Sequence, residues 1–309
     1  MTDQKKILIL IDGSERSMQT LDYVGSLTPF KKFKLVLFHV FSGVPECYWD
    51  MERTPQNQHA ISQLRAWESQ RKKEIDSFAQ NARQTLINGG FSKDSVELKI
   101  QKRQNGVARD ILKEAQEGNY TAVVLRRRGV GALEGMVVGS IANKLFSKLT
   151  FCPLIIAGRH PAREKLLIAI DGSPSSMQAV DFVTGNFDGQ NYSVGLIYVI
   201  RGFGSLVPDN PEFLMPAENV ELAHNEMMEL FADVKAKFIK AGFEENKISE
   251  RIITGVYSRA GAIVQEAEAG GYGTIVIGRK GLSKVREFFM GRVCNKVIHC
   301  GSQFSVWVI

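Results

Sequence analysis

Two kinds of residue cluster in this chain of 309 residues have types and spacings suited to chemistry, and each occurs twice. The first is an acid at the end of an apolar run: Asp12-Gly13-Ser14 after residues 7–11, and Asp171-Gly172-Ser173 after residues 166–170. A carboxylate held at a strand end can meet a ligand hydroxyl, a base or a metal-bound phosphate. The same triplet can instead cap the following helix, with Asp or Ser accepting from its free N–H groups and Gly allowing a sharp turn; one arrangement can do both. The second cluster is a Gly-rich loop. Gly278-Arg279-Lys280-Gly281 is followed, with nine residues between, by Gly291-Arg292, and Arg126-Arg127-Arg128-Gly129 at the same spacing by Gly139-Ser140. Glycines let the backbone approach a ligand closely, and a helix that starts at the last Gly offers free N–H groups to an anion such as phosphate. Arg279 and Lys280 add positive charge to that loop, although loop cations are also commonly just solvated.

The elements that must position these clusters come from a duplication. Residues 5–24 and 164–183 are identical at 12 of 20 aligned positions, and Asp171 lies 159 positions after Asp12. The ends of the halves match too, residues 120–145 over 272–297 at a shift of 152, so the first copy carries seven more residues in its middle. The polar, Pro-containing stretch 158–163 reads as a short linker, giving domains at 1–159 and 160–309. That agrees with a length about twice that of a typical single domain.

Each copy predicts the same order. A strand (7–11; 166–170) meets the Asp turn, and a helix follows with apolar residues at Met18, Leu21 and Val24 or Met177, Val180 and Val183. A second strand (34–40; 193–200) leads through a long connection to an amphipathic helix (61–87; 220–241) stopped by Asn88-Gly89-Gly90 or Gly242. A third strand and helix (96–101 and 107–116; 248–253 and 260–269) precede a wholly apolar fourth strand (122–125; 274–277), the Gly loop, a helix and a last strand (154–157; 304–309). Strands alternating with helices require crossover connections, hence a mostly parallel sheet covered on both faces, with ligands expected beyond the carboxyl ends of the strands. The two last strands are short and apolar, and such a strand invites pairing wherever it lies at a sheet edge.

Composition narrows the function classes. With 44% apolar and 23% charged residues the chain is ordinary globular protein. Its net charge of +6 is spread among acids, unlike the concentrated basic face of a nucleic-acid binder. No apolar run spans a bilayer, and the first one is cut by Asp12, unlike a signal peptide, so the expected location is the cytoplasm, with neither membrane nor nucleic acid as partner. Cys47, Cys152, Cys294 and Cys300 form no Cys-x-x-Cys pair and read as reduced thiols. The five histidines lack metal-ligand spacing, and neither Gly-x-Ser-x-Gly nor a Walker loop is present, so catalysis has no visible apparatus and no catalytic or metal residue is assigned. The stretches Tyr48-Trp49-Asp50-Met51 and 203–215 lie in the long connections and suit either lids or partner surfaces.

The duplicated strand-Asp-turn opening, the apolar fourth strand feeding a Gly loop, and the closing CPLII strand (152–156) make the chain resemble the universal stress protein family in its tandem form. The resemblance covers nearly the whole chain. It implies two flavodoxin-like (Rossmann-like) α/β domains, each a five-stranded parallel sheet of order 3-2-1-4-5 with helices on both faces. The family's nucleotide-binding members carry G-x2-G-x9-G-[S/T]. By resemblance, phosphates and ribose contact the Gly loop and the Gly-Ser/Thr helix start, the strand-end Asp lies beside the ligand, and backbone at the end of the second strand reads adenine. In the first copy these positions are Asp12, Val40, Gly129, Gly139 and Ser140; in the second they are Asp171, Val199, Gly278, Gly281, Gly291 and Arg292, with Lys280 inside the loop. Neither copy keeps the full pattern, since Arg126 replaces the leading Gly in the first and Arg292 the hydroxyl residue in the second. A side chain at the leading Gly position fills space and requires backbone that only Gly adopts cheaply, whereas Arg292 keeps its backbone N–H, so the second copy is favoured. The reading implied is a non-catalytic cytoplasmic stress-response protein binding ATP or ADP, with or without Mg; the alternative is a scaffold of the same fold with degenerate sites. In single-domain relatives the last strand joins two chains, so the resemblance also implies an internal pseudo-dimer of the two halves, and it allows a homodimer.

Overall fold

A computed structural model describes residues 4–44, 55–126, 139–159, 164–187, 189, 191–201, 217–282 and 290–309. The chain forms two compact units, Met1–Arg126 and Arg127–Ile309. In the first, β1 (Lys6–Leu10), α1 (Glu15–Ser26), β2 (Lys34–Phe41), α2 (Pro55–Asn88), β3 (Val96–Lys102), α3 (Val107–Glu117) and β4 (Ala122–Arg126) follow one another. The strands are parallel in the order β3-β2-β1-β4. From β1 to β3 the chain steps one way along the sheet, then crosses back to β4. Right-handed crossovers therefore place α1 and α2 on one face and α3 on the other, and α1 packs against α2. Covered on both faces, β1, β2 and β4 are largely apolar, while edge strand β3 alternates: Leu8, Ile9, Leu35, Leu37, Val123 and Val124 are buried together with Leu21 and Val24 of α1.

The second unit contains α4 (Ser140–Lys148), β5 (Leu154–Ala157), β6 (Lys165–Ala169), α5 (Pro174–Asn186), β7 (Ser193–Arg201), α6 (Ala217–Lys240), β8 (Ile248–Val256), α7 (Arg259–Ala269), β9 (Thr274–Ile277), α8 (Arg292–Cys300) and β10 (Ser305–Val308). Strands β6 to β10 are parallel in the order β8-β7-β6-β9-β10. That is the flavodoxin-like 3-2-1-4-5 arrangement, with α5 packed on α6 and α7 on α8.

The spatial units and the sequence repeats divide at different points. Helix α4 and strand β5 close the first repeat in sequence but pack within the second unit, so the first unit holds four strands. Strand β5 runs antiparallel to β10, with Leu154, Ile155 and Ile156 opposite Val308, Trp307 and Val306. The two apolar edges recognised in the sequence thereby cover each other. Trp307 is fully buried, its ring centroid 5.3 Å from Phe187 and 6.0 Å from Phe182. Tyr48 to Met51 and residues 203–215 lie outside the described residues.

Candidate functional site

Three segments of the second repeat meet at the carboxyl end of its sheet: the Asp171 turn after β6, the loop after β9, and the start of α8. Ser173 caps α5 by accepting from the Ser176 N–H at 3.2 Å, and the Ser173 N–H donates to Asp171 Oδ1 at 3.1 Å. Gly172 takes φ +74°, the left-handed turn that carries the chain from strand to helix. The loop is tied to this cap from both sides. Ser173 Oγ donates to the Lys280 carbonyl at 3.2 Å, and the Lys280 N–H donates to Ser175 Oγ at 3.3 Å. The Arg279 N–H donates to Ile309 O at 2.6 Å, and the Gly291 N–H to Arg279 O at 2.8 Å.

The glycines mark the close approaches. A Cβ on Gly281 would stand 2.6 Å from Asp171 Oδ2, so the carboxylate lies directly against the loop backbone. A Cβ on Gly291 would stand 3.2 Å from Arg279 O and 3.6 Å from Gly281 N, which brings the start of α8 to the same place. Gly291 caps α8 without any side-chain hydrogen bond, leaving first-turn N–H groups for another acceptor. Lys280 and Arg292 are exposed, while Val199 is buried in β7 opposite Ile253. Thus Asp171, Gly281 and Gly291 come together, Lys280 and Arg292 stand on the same two segments, and Val199 sits at the end of the neighbouring strand.

The constraint at Gly278 is space rather than backbone conformation. Its φ is outside the left-handed region, so backbone conformation is not what requires Gly. A Cβ there would lie 2.7 Å from Ser175 C and Ser176 N, so the constraint is space: β9 packs straight onto the first turn of α5. In the first repeat, Arg126 holds this position and its Nη2 donates to Gln19 Oε1 on α1.

The two Asp turns are chemically unequal. Asp12 Oδ1 accepts from the Ser14 N–H at 3.0 Å, from Ser14 Oγ at 2.6 Å and from Ser17 Oγ. Desolvation works to raise its pKa, but these donors prevail and hold the carboxyl below its ordinary value of 3.8. In the second repeat both serine hydroxyls are spent elsewhere, Ser173 on the Lys280 carbonyl and Ser176 on Ser173 O at 2.9 Å. Among the described residues Asp171 therefore accepts one hydrogen bond, where Asp12 accepts three. Asp12 and Val40 lie in the first unit, Gly139 and Ser140 at the start of α4 in the second, and Gly129 outside the described residues.

Two residues here escaped the sequence. Arg279, one of the two cations of the loop, is buried, and its Nη1 donates to the Phe146 carbonyl on α4 at 2.7 Å. Burial pulls its pKa down, while the nearby thiols of Cys294 and Cys152 work the other way. Burial likewise pushes the Cys294 thiol up to about 12. Tyr198, at the end of β7, has its pKa raised by desolvation, with Asp171 and Glu226 adding to the rise and Arg259 opposing it. Its only signal in the sequence was its alignment with His39, whose Nδ1–H donates to Ile11 O at 2.8 Å beside the first Asp turn. Among the described residues no three His, Cys, Asp or Glu side chains converge as a metal-ligand set, and no helix is long and apolar enough to cross a membrane.

Comparison with known proteins agrees with this architecture. The model of the Universal stress protein family matches residues 4–157 and again 162–309. Universal stress protein YxiE of Bacillus subtilis (strain 168) is 28% identical over 155 residues, 49% of this chain and 97% of the relative. The crystal structure of a universal stress protein from Archaeoglobus fulgidus DSM 4304 superposes over 98% of this chain and 97% of its own, with a TM-score of 0.63 at 17% identity. A putative universal stress protein from Pseudomonas aeruginosa UCBPP-PA14 does so over 99% and 93%, with a TM-score of 0.59 at 14% identity.

Proposed function

This chain belongs to the universal stress protein family through both of its repeats, and on that premise we propose that it is a cytoplasmic stress-response protein whose second repeat binds ATP or ADP without turning it over. The observation that carries the reading is the state of Asp171: a carboxylate that accepts a single hydrogen bond among the described residues and lies against the Gly281 backbone where α8 begins. An acceptor left free at that place suits ribose hydroxyls. The first-turn N–H groups of α8, with Lys280 and Arg292 on the adjoining segments, suit the phosphates, and Mg would add charge compensation there. The backbone around Val199 is at the strand end suited to adenine. In the first repeat, by contrast, Asp12 Oδ1 already holds three donors from its own serines and Arg126 occupies the place of the leading Gly, which favours a supporting role for that copy.

Mass spectrometry of small molecules released from the purified full chain, with calorimetric titration of ATP and ADP, tests this. Saturable binding is expected in the parent and in Arg126→Gly, and its loss in Gly281→Val. Absence of both a copurified nucleotide and any heat of binding overturns the proposal and leaves a scaffold with lapsed sites. Steady release of ADP from ATP that disappears in Asp171→Ala overturns the non-catalytic part.

A further inference from the structure

The first unit carries a cleft of about 460 Å³ beside α2, lined by Phe41, Arg65, Glu68, Ser69, Lys72, Ile100 and Lys102. That size falls in the range of small-ligand sites. Its composition is uneven. Phe41, buried at the end of β2, and half-buried Ile100 of β3 give an apolar floor, while Arg65 and Lys72 from α2 and Lys102 from β3 give exposed positive walls. One carboxylate, Glu68, faces three cations, so the lining has a net charge of +2. Among the described residues Lys72 and Lys102 take part in no ion pair. Glu68 and Lys102 both lie against the backbone of Gly43, in space that a Cβ would occupy.

The fold does not require this lining. When the repeats are aligned through Phe91 and Phe243, which follow α2 and α6, the second repeat places Ala217, His224 and Thr254 opposite Arg65, Lys72 and Lys102, and Val220 opposite Glu68. The same scaffold thus exists in this chain without the cations, and their gathering at one cleft is a property of the first repeat alone.

We infer that this cleft is a second ligand site, taking a small organic phosphate whose dianionic group meets Lys72, Lys102 and Arg65 and whose apolar body rests on Phe41 and Ile100. Convergence of side chains from two elements fixes the anion between them, and the floor discriminates against anions that lack an apolar part. The inference is independent of nucleotide binding in the second repeat.

The test is titration of the isotope-labelled full chain with phenyl phosphate, inorganic phosphate and phenol, read by amide chemical shifts. Phenyl phosphate is expected to perturb residues 41, 65–72 and 100–102 saturably, and to bind at least about tenfold more tightly than either inorganic phosphate or phenol. The double variant Lys72→Gln/Lys102→Gln should weaken it about tenfold or more with an unchanged melting temperature, because exposed charges contribute little to folding, whereas Gly281→Val should leave it unaltered. Shifts confined to residues 278–292, equal affinity for inorganic phosphate, or undiminished binding by the double variant would overturn the inference.

Discussion

Replacing Gly278 with Ala isolates the packing of β9 on α5 from every question of ligand. The added methyl would lie 2.7 Å from Ser175 C and Ser176 N, where ordinary contact begins near 3.4 Å, a shortfall of 0.7 Å. Both obstructing atoms are backbone in the first turn of α5, itself pinned by the Ser173 cap and by Ser175 Oγ donating to Ile309 O at 3.2 Å. Neither side can yield cheaply, so the cost belongs with overpacked cores, about 1–3 kcal/mol. For a unit of this size ~2 kcal/mol corresponds to a melting temperature lower by roughly 4–8 °C. Gly185→Ala, further along the same helix, is the control: no atom lies within 4 Å of its Cβ position, so the change should be neutral or stabilising by up to about 1 kcal/mol. Calorimetric melts of the parent and both variants provide the comparison. If Gly278→Ala melts with the parent while Gly185→Ala behaves as stated, the close approach is not a constraint and the reasoning about Arg126 in the first repeat falls with it.

The other predictions concern charge and access. Gly281→Ala should change stability by less than about 1 kcal/mol, because the atom in its way is the end of the Asp171 side chain, which can rotate; nucleotide affinity should fall as that carboxylate turns away, and calorimetry on one sample checks both. Asp12 has a folded pKa below 3.8, so its contribution to stability is present above that pH and is lost as pH falls through the folded value. Asp12→Asn should therefore melt below the parent at pH 7, with the gap closing under acid; a gap that persists or widens would contradict the capping account. Peptide-resolved thiol labelling at pH 8 should modify exposed Cys300 and spare buried Cys152 and Cys294 until denaturant is added, Cys294 doubly so because burial pushes its thiol up to about 12.

Much of the fold was legible because duplication and periodicity report on backbone and core. The strand ends at Asp12 and Asp171 and the helix stops near Asn88 and Gly242 follow from local rules, while the pairing of the two apolar last strands follows from the family resemblance. The capture of β5 by the second unit is another matter, since a contact boundary depends on which edge each strand finds rather than on where the repeat ends. At the site, residue type alone hides two distinctions. Arg279 and Lys280 are adjacent cations in one loop, yet strand geometry sends one guanidinium inward to Phe146 O and leaves the other side chain in solvent. Gly278 and Gly281 flank them as equivalent glycines, yet one makes room for a helix and the other for a carboxylate.

The difference between the two Asp turns goes furthest beyond the sequence. Asp-Gly-Ser is present in both repeats, and so is the serine three residues later, Ser17 or Ser176. What separates them is where those hydroxyls point. Ser173 reaches the Lys280 carbonyl because Gly278 and Gly281 let the loop settle on the turn, whereas in the first repeat Ser14 and Ser17 fold back on Asp12. A carboxylate relieved of its internal donors has lone pairs for a ligand; one that holds three donors is a cap. Identical triplets thus both fasten a helix through their serines, and differ in the number of internal donors that the Asp holds, three on Asp12 and one on Asp171 among the described residues.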